Sequence, residues 1–132
     1  DPRQKKISQL LEKIRESESK KEFDAAIRDA TKMIELDGGN ADAWFIRGTL
    51  ELNKMRFDAA IDDLDKALAI EPYFDIALAN RAFARIQKYA TGGGLTQLSP
   101  DQKEKICTDL RKAAFLGDKE EPVFTALKQY CQ

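Results

Sequence analysis

Apolar residues recur along this chain at helical rather than alternating spacing. Ile7, Leu10, Leu11 and Ile14 follow the i, i+3, i+4, i+7 rule that places four apolar side chains on one stripe, which predicts a first helix. A second helix is predicted over residues 23–36. After Gly117, a residue suited to the left-handed position that ends a helix, Val123, Phe124, Leu127 and Tyr130 share one face of a further predicted helix over 119–131. Uninterrupted apolar runs are only a few residues long, against the roughly 20 needed to cross a bilayer. A soluble, all-α chain without membrane insertion is expected.

The helical pattern repeats. Glu22-Phe23-Asp24-Ala25-Ala26-Ile27 returns as Arg56-Phe57-Asp58-Ala59-Ala60-Ile61, five of six identical and 34 residues apart. In the same register Asp29 falls on Asp63, Lys32 on Lys66, Ile34 on Leu68 and Leu36 on Ile70. A match over a whole helix at this period is the signature of a stacked two-helix unit, in which each unit buries its apolar face against the next.

The second unit carries Trp44, Gly48, Ala60, Ala67 and Pro72 at the spacing by which it resembles the tetratricopeptide repeat (TPR). It departs from that pattern at Arg47, Glu51 and Leu64. Small residues at Gly48, Ala60 and Ala67 let two antiparallel helices approach, with Trp44, Phe57 and Leu64 expected to fill the space between them. Pro72 stops the second helix. The resemblance implies a right-handed α-solenoid of antiparallel helix pairs, a single domain of three TPR-like units over approximately 3–37, 41–72 and 75–117, with a capping helix at 119–131. In the third unit Asp109-Leu110-Arg111-Lys112-Ala113 echoes Asp63-Leu64-Asp65-Lys66-Ala67. The stretch from Arg81 to Asp109 is 28 residues where Arg47 to Asp63 is 16, so this unit holds a 12-residue insertion. Gly92, Gly93 and Gly94 within it predict a flexible loop near 91–98. Ser99, Pro100 and Gln102 then restart a helix through a capping box.

Charge and composition narrow the function. Twenty-two basic and 23 acidic side chains leave a net charge of -1, which offers no basic field for nucleic acid. Histidine is absent, removing the commonest general base and metal ligand. The glycine run lacks a following Gly-Lys-Ser/Thr, and the acids Asp58, Asp62, Asp63 and Asp65 spread over more than one helix face. No cofactor, metal or catalytic set is expected. Lys13 with Asp29, Arg47 with Asp63, and Arg81 with Asp109 occupy corresponding places in the three units, which predicts a partly buried ion pair crossing each helix pair. Cys107 and Cys131 are too few for a zinc site. Counted from a turn near Asp118 they stand at similar height on neighbouring helices, which fits two small thiols buried in a helix interface, the preferred reading, or a disulfide.

In the TPR family the first helices of successive units line a concave surface that commonly receives a peptide or protein. Carried onto this chain, that surface comprises Leu11 and Arg15, then Phe45, Ile46, Thr49 and Asn53, then Asn80, Phe83, Ile86 and Gln87. A subset of the family clamps the C-terminal carboxylate of chaperones with lysines and asparagines. Here those places hold Leu11, Arg15, Ile46, Ile76 and Asn80, so the resemblance does not extend to that clamp. The expected function is a non-catalytic interaction module that captures a partner protein or peptide through apolar anchors. The alternative is an assembly domain using the same face to form a homodimer or to pack against another domain, and monomer or weak homodimer is expected.

Overall fold

A computed structural model describes residues 1–91 and 98–132. Helices α1 (Pro2–Ser19), α2 (Phe23–Leu36), α3 (Ala41–Asn53), α4 (Phe57–Ile70), α5 (Asp75–Thr91), α6 (Pro100–Phe115) and α7 (Glu121–Tyr130) follow one another, with no strand among the described residues. Each helix packs on the next, giving three pairs and a last unpaired helix against α6. The loop expected near 91–98 falls largely on residues 92–97, which lie outside the described residues.

Local chemistry sets the boundaries. Asp1 accepts from the Arg3 amide at 3.0 Å and Asn40 from the Asp42 amide at 3.0 Å, satisfying first-turn donors that the helix cannot. At α6 the capping box is complete: Ser99 Oγ accepts from the Gln102 amide at 3.1 Å, and Gln102 Oε1 accepts from the Ser99 amide at 2.9 Å. The turns inside the first two pairs are copies of one another. Lys21 (φ 58°) and Met55 (φ 60°) both take the left-handed conformation. The following amides reach back to close the turn, Glu22 to Ser17 O at 2.8 Å and Arg56 to Glu51 O at 2.9 Å. Gly117 (φ 113°) serves the end of α6, where a side chain would be strained.

Two apolar clusters form the interior. One joins Ile7, Leu10 and Ile14 of α1 to Ala26, Ala30 and Met33 of α2 and to Ala43 and Leu50 of α3. The other joins Leu64 and Leu68 of α4, Leu78 and Ala82 of α5, Ile106 and Leu110 of α6, and Val123 and Ala126 of α7. Buried residues at the same repeat position fill each helix pair differently: Ile14 with Ala26, Gly48 with Ala60, Ala82 with Ile106. A Cβ on Gly48 would come within 3.1 Å of Asp63 Cβ and Leu64 Cγ and 3.2 Å of the Ala60 carbonyl, so glycine permits the close approach of α3 and α4.

Two expectations about side chains need correction. Leu64 is buried, but Trp44 and Phe57 are only half-buried. The Trp44 indole lies at the rim, where its Nε1 donates to Gly38 O at 2.9 Å and its ring sits 5.2 Å from the Arg47 guanidinium. On α7 the inward stripe is Val123 and Ala126 with part of Leu127 and Tyr130, whereas Phe124 is exposed. At about 100° per residue Phe124 falls to the side of the stripe that Val123, Ala126, Leu127 and Tyr130 share.

Candidate protein-interaction face

The face shared by α1, α3 and α5 is built from half-buried apolar side chains. Phe45 of α3 packs on Phe74, just ahead of α5, with ring centroids 4.7 Å apart and planes tilted by 35°. Leu11 and Ile46 lean on the N-terminal cluster; Phe83 and Ile86 lean on the C-terminal one. Between them Asn80 Nδ2 donates to Thr49 Oγ1 at 3.2 Å, tying α5 to α3 and leaving the amide oxygen of Asn80 available. Arg15, Asn53 and Gln87 are exposed. Phe45, Thr49 and Asn80 are thus brought together, while Arg15 stands apart on α1.

Charge is organised around two arginines. Arg47 forms a two-pronged pair with Asp63, Nε to Oδ2 and Nη2 to Oδ1 both at 2.8 Å, and its Nη1 reaches Thr31 on the preceding pair at 3.3 Å. Arg81 repeats the arrangement with Asp109 at 2.8 Å for both prongs, and its Nη1 reaches Asp65 at 2.9 Å. Thr31 and Asp65 are one repeat apart, so each guanidinium ties its own helix pair to the one before it. The hydrogen bond that each arginine donates to its aspartate raises both arginine pKa values above the ordinary arginine range, outweighing burial, which lowers them. A raised pKa makes the stabilisation fully present below the unfolded value and lost only on passing the higher folded one. Neither arginine therefore gives these pairs any pH dependence near neutrality.

The first unit does not follow this pattern. Lys13 is exposed and makes no pair with Asp29, whose carboxylate faces Lys32 at 3.9 Å on its own helix. A lysine lacks the planar fork that locks Arg47 and Arg81 to two oxygens at once. Sequence reasoning also missed a repeated contact between units. Lys54 meets Asp24 at 3.4 Å, and one repeat later Lys88 meets Asp58 at 2.6 Å. The 34-residue register applied to charges would have revealed it.

Cys107 and Cys131 are joined in a disulfide with Cα atoms 5.6 Å apart, so the reading as two separate thiols is replaced by the bridge. Similar distances from the turn near Asp118 bring the two residues to a similar height. Another missed feature is an exposed aromatic edge: Tyr73 is 71% exposed beneath Lys112, whose Nζ lies 5.2 Å from the ring, and Phe115, one turn further along α6, is 90% exposed. Ile76, noted in the sequence only as a clamp position, is half exposed beside Phe74. Phe115 is register-equivalent to the exposed Ala69, a signal available from the repeat alone. Among the described residues no helix is long and apolar enough to cross a membrane, and no group of three or more carboxylate or cysteine side chains converges as a metal-ligand set.

No protein-family profile matches the chain. Mouse sperm-associated antigen 1 is 38% identical over 55 residues, a match spanning 42% of this chain and 6% of that protein. Among solved structures, the Arabidopsis OM64 TPR domain is 22% identical with a TM-score of 0.80, covering 95% of this chain and 93% of that one. The first TPR of Spaghetti (RPAP3), bound to the HSP90 peptide SRMEEVD, is 21% identical with a TM-score of 0.80 over 96% of this chain and 90% of that one. The second TPR domain of human RPAP3, in complex with the HSP70 peptide SGPTIEEVD, is 17% identical with a TM-score of 0.80 over 98% of each chain. Agreement over nearly the full length, on helix pairs whose period and packing residues are already those of the repeat, establishes that this chain has the tetratricopeptide-repeat fold.

Proposed function

We propose that this chain is a non-catalytic protein-interaction module that receives a segment of a partner protein on the face shared by α1, α3 and α5. The observation that carries this is the row of half-buried Phe45, Ile46, Phe83 and Ile86 around the Thr49–Asn80 hydrogen bond. Each side chain has one side fixed in the interior and one side open, which gives anchors that need no ordering before a ligand arrives. The amides of Asn53, Asn80 and Gln87 supply neutral donors and acceptors for a peptide backbone. Two structural neighbours hold acidic chaperone peptides. The chemistry here favours a different ligand, because Leu11, Ile46 and Ile76 are apolar where that clamp needs cationic or amide groups, Asn80 is neutral where it needs a basic one, and Arg15 is the only cation among the five. The ligand is an internal, largely apolar segment, extended or helical.

The test pairs selection with titration. Peptides selected from a displayed random library should be apolar and indifferent to a blocked C-terminus, and binding should weaken at least tenfold in Phe83→Ala. The peptide SRMEEVD should produce no saturable shift. Tight SRMEEVD binding, or selected peptides that require a free carboxylate, would sink the proposal. A second reading, assembly, draws on the exposed Tyr73 and Phe115. Light scattering across a concentration series separates the two: a dimer abolished by Phe115→Glu with peptide binding intact assigns that edge to assembly.

A further inference from the structure

Helix α7 is the element least able to hold itself in place. It has ten residues, fewer than the roughly 12–15 an isolated helix needs, and only Val123 and Ala126 are fully buried. Its start is loosely tied, by Asp118 Oδ1 accepting from the Glu120 amide at 3.0 Å after the glycine turn. Its far end is held by the Cys107–Cys131 bridge and by Arg111 Nη2 donating to Cys131 O at 3.2 Å. A surface trough of about 310 Å³, lined by residues including Pro100, Lys103, Thr108 and Arg111, opens onto the bridge. Its charged side chains are two cations, Lys103 and Arg111, against one carboxylate, Glu104, a balance that leaves it open to a thiolate. Cys107 is 3% exposed while Cys131 is partly accessible, so Cys131 is the more open residue of the bridge.

We infer that the Cys107–Cys131 disulfide is a thiol-sensitive latch, whose reduction by a dithiol releases α7 and uncovers the apolar surface of α6 while the preceding helix pairs stay folded. A dithiol thiolate attacks Cys131 Sγ from the trough, forming a mixed disulfide and expelling the Cys107 thiolate, which takes up a proton. The second thiol of the reductant closes on its own sulfur and expels Cys131, which is protonated in turn. Two electrons and two protons pass to the protein, and the reductant leaves as a cyclic disulfide. The bridge spans a sequence separation of 24, so its loss raises the open population of α7 by roughly 10²-fold on loop-closure grounds. What opens is the Val123, Ala126, Leu127 and Tyr130 stripe on one side and Ile106 and Leu110 of α6 on the other.

Amide hydrogen exchange on the full chain, with and without dithiothreitol, tests the latch. Residues 121–130 should lose about 10²-fold in protection after reduction, with α3 and α4 changing less than threefold. Cys107→Ser/Cys131→Ser without reductant should give the reduced pattern. Alkylation mass shifts report the reduction itself, and a bridge that resists millimolar dithiothreitol in the native state overturns the inference. So does full α7 protection after reduction. Parallel loss of protection throughout α3 and α4 also overturns it, by making the bridge a staple of the whole fold.

Discussion

The second and third helix pairs solve one packing problem with different means. In both, an arginine crosses from the first helix to an aspartate on the second with two 2.8 Å hydrogen bonds, and reaches back to the preceding pair. Around Arg47 the set is sparse: one carboxylate, and a neutral Thr31 as the reach-back partner. Around Arg81 it is denser, because Asp65 replaces Thr31 and Arg85 adds a second guanidinium on Asp109 at 3.0 Å. The crossings differ in the opposite sense. Gly48 against Ala60 leaves almost no side chain between α3 and α4, while Ala82 against Ile106 places a large one between α5 and α6. The second pair is thus held by close backbone approach with a simple ion pair, and the third by bulkier apolar filling with an ionic network. Repeat position fixes where an interaction occurs and leaves its strength to the residues that happen to occupy it.

Removing the shared aspartate should separate the two most widely. Asp109→Ala leaves Arg85 without its carboxylate and Arg81 with only Asp65, both guanidiniums being mostly buried. It should cost about 3–5 kcal/mol in urea denaturation. Asp63→Ala strands one guanidinium that is 24% exposed and still meets Thr31, and should cost roughly 2 kcal/mol. Equal costs would mean that the additional charges around Arg81 are decorative. Replacing both partners sharpens the point. Arg47→Met/Asp63→Leu should lie within about 1 kcal/mol of the parent, since an isolated buried pair exchanged for apolar residues is often neutral. Arg81→Met/Asp109→Leu should lose roughly 2 kcal/mol or more, because Arg85 and Asp65 remain behind.

The crossings offer an independent break. Gly48→Ala drives a methyl group against Asp63 Cβ, Leu64 Cγ and a backbone carbonyl, and should cost about 1–3 kcal/mol despite alanine's higher helix propensity. Ala82→Gly opens a small void and loosens the helix, at about 1 kcal/mol. A stabilised Gly48→Ala chain would show that α3 and α4 can separate freely, removing the distinction between the pairs.

Much of this was legible in the sequence for one reason: a 34-residue period ties each residue to a homologous place whose neighbours are known once one unit is understood. Arg47–Asp63 and Arg81–Asp109 follow from it, whereas α7 is read from its own apolar stripe and the capping box from the local Ser99-Pro100-Gln102 chemistry. What resisted reading depends on how units stack. Whether Phe45 faces solvent turns on where Phe74 of the next unit falls, and superhelical packing sets that. Lys13 shows the limit of register on its own: position put it opposite Asp29, but a point charge on a flexible stem, without a fork to grip two oxygens, stays in solvent. The cysteine spacing carried the geometry of a bridge, yet buried thiols share that spacing, so the sequence left the choice open.

The smallest effects probe the bracing itself. Thr31→Asp gives Arg47 the second carboxylate that Arg81 already has, and should stabilise by about 0.3–1 kcal/mol at low salt, fading as ionic strength rises. Lys13→Arg should gain less, no more than a few tenths of a kcal/mol, although it restores the fork opposite Asp29. The order of the two decides what the pattern is for. If Lys13→Arg matched Thr31→Asp in thermal denaturation, the crossing to the partner helix would be sufficient and the reach to the preceding unit incidental. With the expected order, the reach to the neighbouring pair is what makes the guanidinium a rivet between units.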